Sequence, residues 1–198
     1  MSYKRLAVLA SLSVLMACGS DSGTNPITAV TSGSVSFSYT GGGGGSYNAT
    51  GGISSATLAS TPFTTTWAAG YKDATKSSTN IASNIPRTTT TSDVVVIAIK
   101  GQTAATGTIA VSCIPTSTVA CNSVSLLIGQ GSSGATFSSI CSLQSGSITL
   151  ASISSANATG SFSGSGTCVS SAGATSAWVV ANGAFNVPLL PNVPSNLP

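Results

Sequence analysis

The chain has 198 residues, of which 6 are lysine or arginine, 3 are acidic and none is histidine. The acidic residues are the aspartates at positions 21, 73 and 93, so acid–base catalysis would have neither an imidazole base nor a pair of glutamates. The few charges also exclude a basic surface of the kind that binds nucleic acid.

Residues 1–17 have the features of a signal peptide. One lysine and one arginine precede an apolar stretch at residues 6–16, which is too short for a helix to span a bilayer. The next residues, Leu15-Met16-Ala17-Cys18, resemble the bacterial lipobox, in which the cysteine thiol receives a lipid and begins the mature protein. A diacylated Cys18 is expected to anchor the protein stably, since each buried methylene contributes about 0.8 kcal/mol.

The residues after the cysteine predict a tether and an envelope location. Residues 18–33 are polar and contain glycine and proline, which is typical of a flexible link between a lipid anchor and a folded domain. Gly19 follows the cysteine, and in the enterobacterial sorting pattern this resembles export onward to the outer membrane. We therefore expect a lipid-anchored protein of the bacterial cell envelope, in the outer rather than the inner membrane.

Residues 34–190 predict one antiparallel β-domain. Apolar side chains alternate with serine and threonine in short stretches separated by glycine, asparagine and proline. The expected fold class is all-β, an antiparallel β-sandwich with a closed or flattened β-barrel as the alternative, and almost no helix outside the signal peptide. The predicted strands are residues 35–39, 46–50, 93–100, 106–113, 122–128, 146–153, 158–164 and 177–187.

Alternation also predicts the core, because every second side chain of a strand lies on the same face. The expected core residues are Val94, Val96, Ile97, Ile109, Val111, Leu126, Ile148, Leu150, Phe162, Val179 and Phe185.

Three segments are expected to lie outside the sheet. The five glycines at 41–45 predict a flexible hairpin loop. Residues 71–92 carry most of the charges of the domain and a run of threonines, and predict a long, mobile connection. From residue 187 onward the repeated prolines predict an extended, unpaired tail, of which residues 191–198 form the proline-rich end.

The four cysteines of the domain predict two disulfides, because an exported chain meets an oxidising compartment. Cys113 and Cys121 flank a turn-like stretch, and Cys141 and Cys168 are nearly equidistant from the turn expected at 154–157. Three connectivities are open, and we favour Cys113 with Cys121 and Cys141 with Cys168. A zinc site is disfavoured because closely spaced cysteine pairs are absent, and no cofactor is expected.

Two patterns that resemble catalytic motifs are interpreted as structural. Residues 129–134 match G-x-G-x-x-G after an apolar strand. A dinucleotide-binding motif also needs a helix and a later acidic residue, but the next residues favour an extended chain and no acidic residue follows Asp93. We therefore interpret this stretch as a glycine-rich turn. Asp73 and Asp93 are isolated in the sequence and lack a partner base, so no catalytic residue is expected.

Trp67, Tyr71 and Trp178 are the large aromatic residues of interest. The main interpretation places their rings in the core, which contains little leucine and needs aromatic volume. The alternative is that they contact a ligand, either by stacking on a glycan or by lining an apolar cavity.

Parts of the chain resemble a family of uncharacterised bacterial lipoproteins. Residues 146–150, 158–163 and 182–189 are similar to the G-x-I-x-L, A-x-G-x-F and N-G-x-F-x-V-P strands of that family, and Trp67-Ala68-Ala69 is similar to a segment near its start. The resemblance implies a lipid-anchored antiparallel sandwich or barrel in which the first two strands pair and the third completes the sheet. It implies no activity, because the family has no assigned function.

These features favour a non-catalytic binding or interaction module, whose partner is an envelope protein or a glycan. The alternative function is a carrier of a small apolar ligand in a barrel cavity, and a structural role in the envelope is third. A filled core would favour the interaction module, whereas an interior cavity lined by the aromatic residues would favour the carrier.

Overall fold

The computed structural model describes residues 32–60, 64–73, 77–101, 105–112, 121–132 and 136–191. The predicted signal peptide, the lipidation site Cys18 and the tail after Pro191 lie outside the described residues. The described elements are β1 (Ser32–Thr40), β2 (Gly45–Gly52), α1 (Ser55–Ser60), β3 (Trp67–Asp73), β4 (Ser78–Pro86), β5 (Thr91–Lys100), β6 (Gly107–Ala110), β7 (Ser123–Gly131), β8 (Ser139–Ile153), β9 (Asn157–Ser170) and β10 (Thr175–Leu190). The prediction of an all-β fold is confirmed.

Seven of these strands close into a barrel. The hydrogen-bonded path runs from β10 through β3, β4, β5, β7, β8 and β9 and returns to β10. Every pair is antiparallel except β10 with β3, where Leu189 and Leu190 lie in parallel register with Gly70 and Tyr71. The closed barrel, which was the alternative to a sandwich, is the arrangement that these pairs form. Strands β1 and β2 extend the sheet from β10, and β6 extends it from β8.

The long strands β8, β9 and β10 form the centre of the sheet, with Ile148 opposite Phe162 and Phe162 opposite Gly183. Residues 146–150, 158–163 and 182–189 therefore lie side by side on three neighbouring strands. Three inward positions of β9 are glycines at which a Cβ would collide with the backbone of β8, namely Gly160, Gly164 and Gly166. A Cβ on Gly160 would lie 2.5 Å from the ring of Phe185.

One cluster of buried apolar side chains fills the interior of the barrel. Seven predicted core residues belong to it, namely Ile97, Val111, Leu126, Ile148, Leu150, Phe162 and Phe185. Ile109 packs partly buried against the cluster, and Val94 is buried but lies outside it. Val96 is half-buried. The prediction for Val179 is wrong, since this side chain is 45% exposed.

A β-bulge in β10 explains the wrong assignment of Val179. The register with β9 shifts between Val180 and Gly183, and Asn182 in this interval has a positive φ of 53°. An extra residue in one strand reverses the alternation of faces. Trp178 and Val180 therefore face the core before the bulge, and Phe185 faces it afterwards.

The prediction that residues 71–92 form a mobile connection is wrong. Residues 78–86 form β4, which pairs with β3 on one side and β5 on the other. Most of its buried polar groups have partners: the Thr79 hydroxyl donates to the Gly101 carbonyl at 3.1 Å, and Asn84 Nδ2 donates to the Thr65 carbonyl at 2.8 Å. The Asn84 Oδ1 is buried without a partner among the described residues. Buried polar groups are tolerated when they form hydrogen bonds.

The predicted unpaired tail is also partly wrong, because residues 187–190 continue β10. Val187 lies opposite Ala158 of β9, and Leu189 lies opposite Gly70 of β3. Leu189 and Leu190 close the barrel by pairing with β3. Residues 192–198 lie outside the described residues.

Helix α1 covers the outer side of β3. The Ser54 hydroxyl accepts a hydrogen bond from the Thr57 backbone N–H at 3.1 Å, which caps the first turn. A second apolar cluster forms beneath this helix and consists of Ile53, Leu58, Trp67, Ala69, Tyr71 and Ala82. Across the ranges that the structure describes, no helix has the length and apolar character needed to cross a membrane.

Candidate functional site

The three aromatic residues singled out in the sequence do not lie together. Trp178 is fully buried and belongs to the barrel core, whereas Trp67 and Tyr71 belong to the second cluster beneath α1. Each of the latter two is 5% exposed. The structure therefore places the rings on the two sides of the barrel wall, where they fill volume separately.

Two tyrosines are buried strongly enough to change their ionisation. Burial, together with the smaller effect of the nearby charge of Asp73, raises the pKa of Tyr71 to about 12. Burial also raises the pKa of Tyr47, whose hydroxyl forms a hydrogen bond with Ser83 at 3.1 Å. Both phenols are neutral at physiological pH, so they pack as polar-tipped core residues.

Asp73 and Asp93 are far apart and do not form a catalytic pair. Asp73 pairs with Ser78, which pairs in turn with Lys100 at the far end of β5. Asp93 lies seven residues from Lys100, which is about 23 Å along the strand direction at 3.3 Å per residue. Two carboxyl groups must be much closer than this to share one reacting bond.

Asp93 instead connects β5 to β7 and to the turn that follows β4. Its Oδ1 accepts hydrogen bonds from Arg87 Nε at 2.5 Å and from the Gly129 backbone N–H at 2.9 Å. The hydrogen bond with Asp93 raises the pKa of Arg87. Gly129 has a φ of +63°, which turns its N–H toward the carboxylate. Sequence reasoning missed this cluster because Arg87 lay in the segment expected to be mobile.

The G-x-G-x-x-G stretch forms no phosphate-binding turn in the part that the structure describes. Gly129 and Gly131 belong to β7, and the Gly131 N–H donates to the Thr136 carbonyl at 2.8 Å. The chain then continues as β8 from Ser139, where a dinucleotide-binding motif would require a helix.

The predicted disulfide between Cys141 and Cys168 is confirmed. The two residues face each other in the register of β8 and β9, with their Cα atoms 3.8 Å apart. The hairpin turn lies at the expected place, where the Ser154 N–H donates to the Asn157 carbonyl. Because both sulfurs are bonded, neither is a zinc ligand.

The second predicted disulfide is only half described. Cys121 is disulfide-bonded, whereas its predicted partner Cys113 lies outside the described residues. Their pairing stays a prediction. No group of three metal-ligating side chains occurs among the residues that the structure covers.

A broad polar surface lies on the outside of the six-stranded part β2-β1-β10-β9-β8-β6. We call this surface the hydroxyl face. One row crosses all six strands in register and consists of Asn48, Ser36, Ala184, Ser161, Thr149 and Thr108. The flanking members are Ser34, Ser38, Ser46, Thr50, Ser145, Ser147, Ser152, Thr159, Ser163, Ser165 and Asn186.

Neighbouring hydroxyls of this face form hydrogen bonds with each other across strands. Ser145 and Ser165 are joined at 2.9 Å, and Thr108 and Thr149 at 3.0 Å. None of the named members is charged or aromatic, and each is exposed or half-buried. The face therefore combines many neutral donors and acceptors on a backbone that the barrel holds rigid.

No protein-family model, no curated protein and no solved structure matches this chain. The resemblance of the C-terminal strands to a lipoprotein family therefore stays a prediction.

Proposed function

We propose that this protein is a non-catalytic binding or interaction module of the bacterial cell envelope, anchored by a lipid on Cys18. The hydroxyl face is the observation that carries the proposal. It spans six paired strands and presents side chains that bind by hydrogen bonding and shape.

The chemistry of the face favours a neutral, polar partner. A hydroxyl both donates and accepts and rotates to suit its partner, so a hydroxyl array adapts to an amide-rich protein surface or to a glycan. Charged partners would gain little here, because the face offers no opposite charge to compensate their desolvation. The partner class is therefore an uncharged envelope protein surface or a neutral glycan.

The filled interior supports this function over that of a carrier. A barrel of about eight strands is just wide enough for side chains to fill it or to hold one small ligand. Here Trp178, Leu143 and Ile148 are fully buried within the same core cluster of a seven-stranded barrel. A core of large packed side chains favours the interaction module over a carrier.

Site-specific photocrosslinking in intact envelopes tests the proposal. A photoreactive residue at Ser163, in the middle of the hydroxyl face, is expected to give one discrete adduct. The matched control is Thr89, which is exposed in the turn between β4 and β5 and is expected to give none. Equal labelling from both positions, or none from either, would contradict an interaction through this face.

A charge substitution on the same face provides an independent measurement. Ser161→Lys should lower the yield of the Ser163 adduct about fivefold, because losing one hydrogen bond at an interface costs about 1 kcal/mol. Native mass spectrometry of protein purified from envelopes distinguishes the interaction module from the carrier. A small apolar molecule that copurifies without a covalent bond would favour the carrier.

A further inference from the structure

The disulfide between Cys141 and Cys168 is covered on one side by the turn at residues 41–45, which we call the glycine lid. A Cβ placed on Gly42 would lie 2.6 Å from the Cys168 Sγ and 3.0 Å from the Cys141 Sγ. Real Cβ atoms do not approach other heavy atoms as closely as 2.6 Å. The backbone of Gly42 therefore lies directly on the disulfide, and no side chain fits at this position.

The lid is attached to the barrel at its base and projects from it at its tip. The Gly42 N–H donates to the Ser176 hydroxyl at 3.3 Å, and a Cβ on Gly41 would collide with the Ala177 carbonyl oxygen. A Cβ on Gly43, by contrast, would have nothing within 4 Å. Gly45 is fixed by its pairing with Tyr39 at the start of β2, and Gly41 packs on β10. Between them, a long hydrogen bond and the contact with the sulfurs hold Gly42 in place.

The lid can rearrange more easily than the strands around it. All five of its glycines have a positive φ, and glycine exchanges such conformations with others at little steric cost. Cys141 and Cys168 are 0% and 2% exposed and lie near the open end of the β8–β9 hairpin. Their strands are held there on both sides, because Cys141 also pairs with Leu126 of β7 and Cys168 with Ser176 of β10. Movement of the lid therefore exposes the sulfurs at a lower cost than separation of β8 from β9.

We propose that the glycine lid gates the Cys141–Cys168 disulfide, so that its local opening admits a thiol while the barrel stays folded. The disulfide is then a reversible, redox-addressable modification site. This inference does not depend on the proposed function.

The reaction is thiol–disulfide exchange with a dithiol as the reductant. A thiolate of the reagent attacks one sulfur of the bridge, forms a mixed disulfide with it and releases the other cysteine as a thiolate, which takes up a proton. The second thiol of the reagent then attacks the mixed disulfide. The reagent leaves as a cyclic disulfide, and both cysteines are reduced.

A matched pair of variants tests the gate. Gly42→Ala and Gly44→Ala have nearly the same backbone conformation, with φ of +61° and +59°. They differ in their surroundings, because the atom nearest to a Cβ on Gly44 is the Tyr39 carbonyl oxygen at 3.8 Å. Dithiol reduction, followed by alkylation and mass spectrometry, should be about tenfold or more faster in Gly42→Ala, and within about twofold of wild type in Gly44→Ala.

The denaturant dependence of the wild-type rate keeps the proposal testable if Gly42→Ala fails to fold. Local opening exposes little surface, so the reduction rate at low denaturant should change far less steeply than global unfolding does. Equal rates in the two variants would overturn the proposal. It would also be overturned by a wild-type rate that follows global unfolding at every denaturant concentration.

Discussion

Trp178 and Val179 are neighbours in sequence and lie on opposite faces of β10, with Trp178 fully buried and Val179 45% exposed. The bulge between Val180 and Gly183 reverses the alternation relative to Phe185, so that Trp178 and not Val179 faces the core. Trp178→Ala is expected to destabilise the protein by about 3–5 kcal/mol, because it leaves a large cavity. Val179→Ala should change the stability by less than about 0.5 kcal/mol. Chemical denaturation of both variants checks the assignment, and the reverse order of costs would refute it.

The burial of β4 has its own test in Ile81, which is fully buried in the barrel core. Ile81→Ala should destabilise the fold by about 2–5 kcal/mol. Thr89→Ala, in the exposed turn after the same strand, is the control and should cost less than about 0.5 kcal/mol. Similar small effects at both positions would mean that β4 does not pack as described.

The two disulfides differ in what remains to be measured. The double substitution of Cys141 and Cys168 by serine should lower the free energy of unfolding by about 3–4 kcal/mol, because it removes the loop-closure entropy of a bridge between residues 27 apart.

Peptide mapping without reduction should recover Cys113 linked to Cys121. A free thiol at either of these two positions would show that the second pairing is wrong.

Cys18 is the residue on which the envelope location depends. Cys18→Ser should block processing or move the protein from the detergent-soluble membrane fraction to the soluble fraction. Intact-mass measurement of the wild type should find an acylated Cys18 as the first residue. An unmodified cysteine there would end the proposal of a lipid anchor.

Tyr71 makes the stability depend on pH in the alkaline range. Its pKa is about 12 in the folded state and about 10 in the unfolded state, so the folded protein holds its proton more tightly. This contribution is fully present below pH 10 and is lost as the pH rises toward 12. By pH 11 the loss is on the order of 1 kcal/mol from this residue alone. The midpoint temperature of thermal unfolding should therefore fall less steeply from pH 8 to 11 in Tyr71→Phe than in wild type.

Local features of the sequence determined the hairpin of β8 and β9. Its alternating residues, the turn at 154–157 and the placement of Cys141 and Cys168 all predict the pairing of these two strands, within which the register shifts at two irregular positions. Consistency of this kind needs no information from the rest of the chain, because a hairpin pairs neighbours in sequence. The all-β class follows from the same alternation.

Tertiary structure alone decided the burial of β4, the choice of which β10 side chains face the core, and the closure of the barrel. Residues 78–86 look like a loop until strands from elsewhere satisfy their polar groups. The bulge at Asn182 reverses the faces of β10 without a clear sequence signal. Closure depends on two parallel residue pairs between β10 and β3, whose partners are more than 100 residues apart in the chain. Each of these outcomes depends on contacts between distant segments, and periodicity within a single strand carries no information about them.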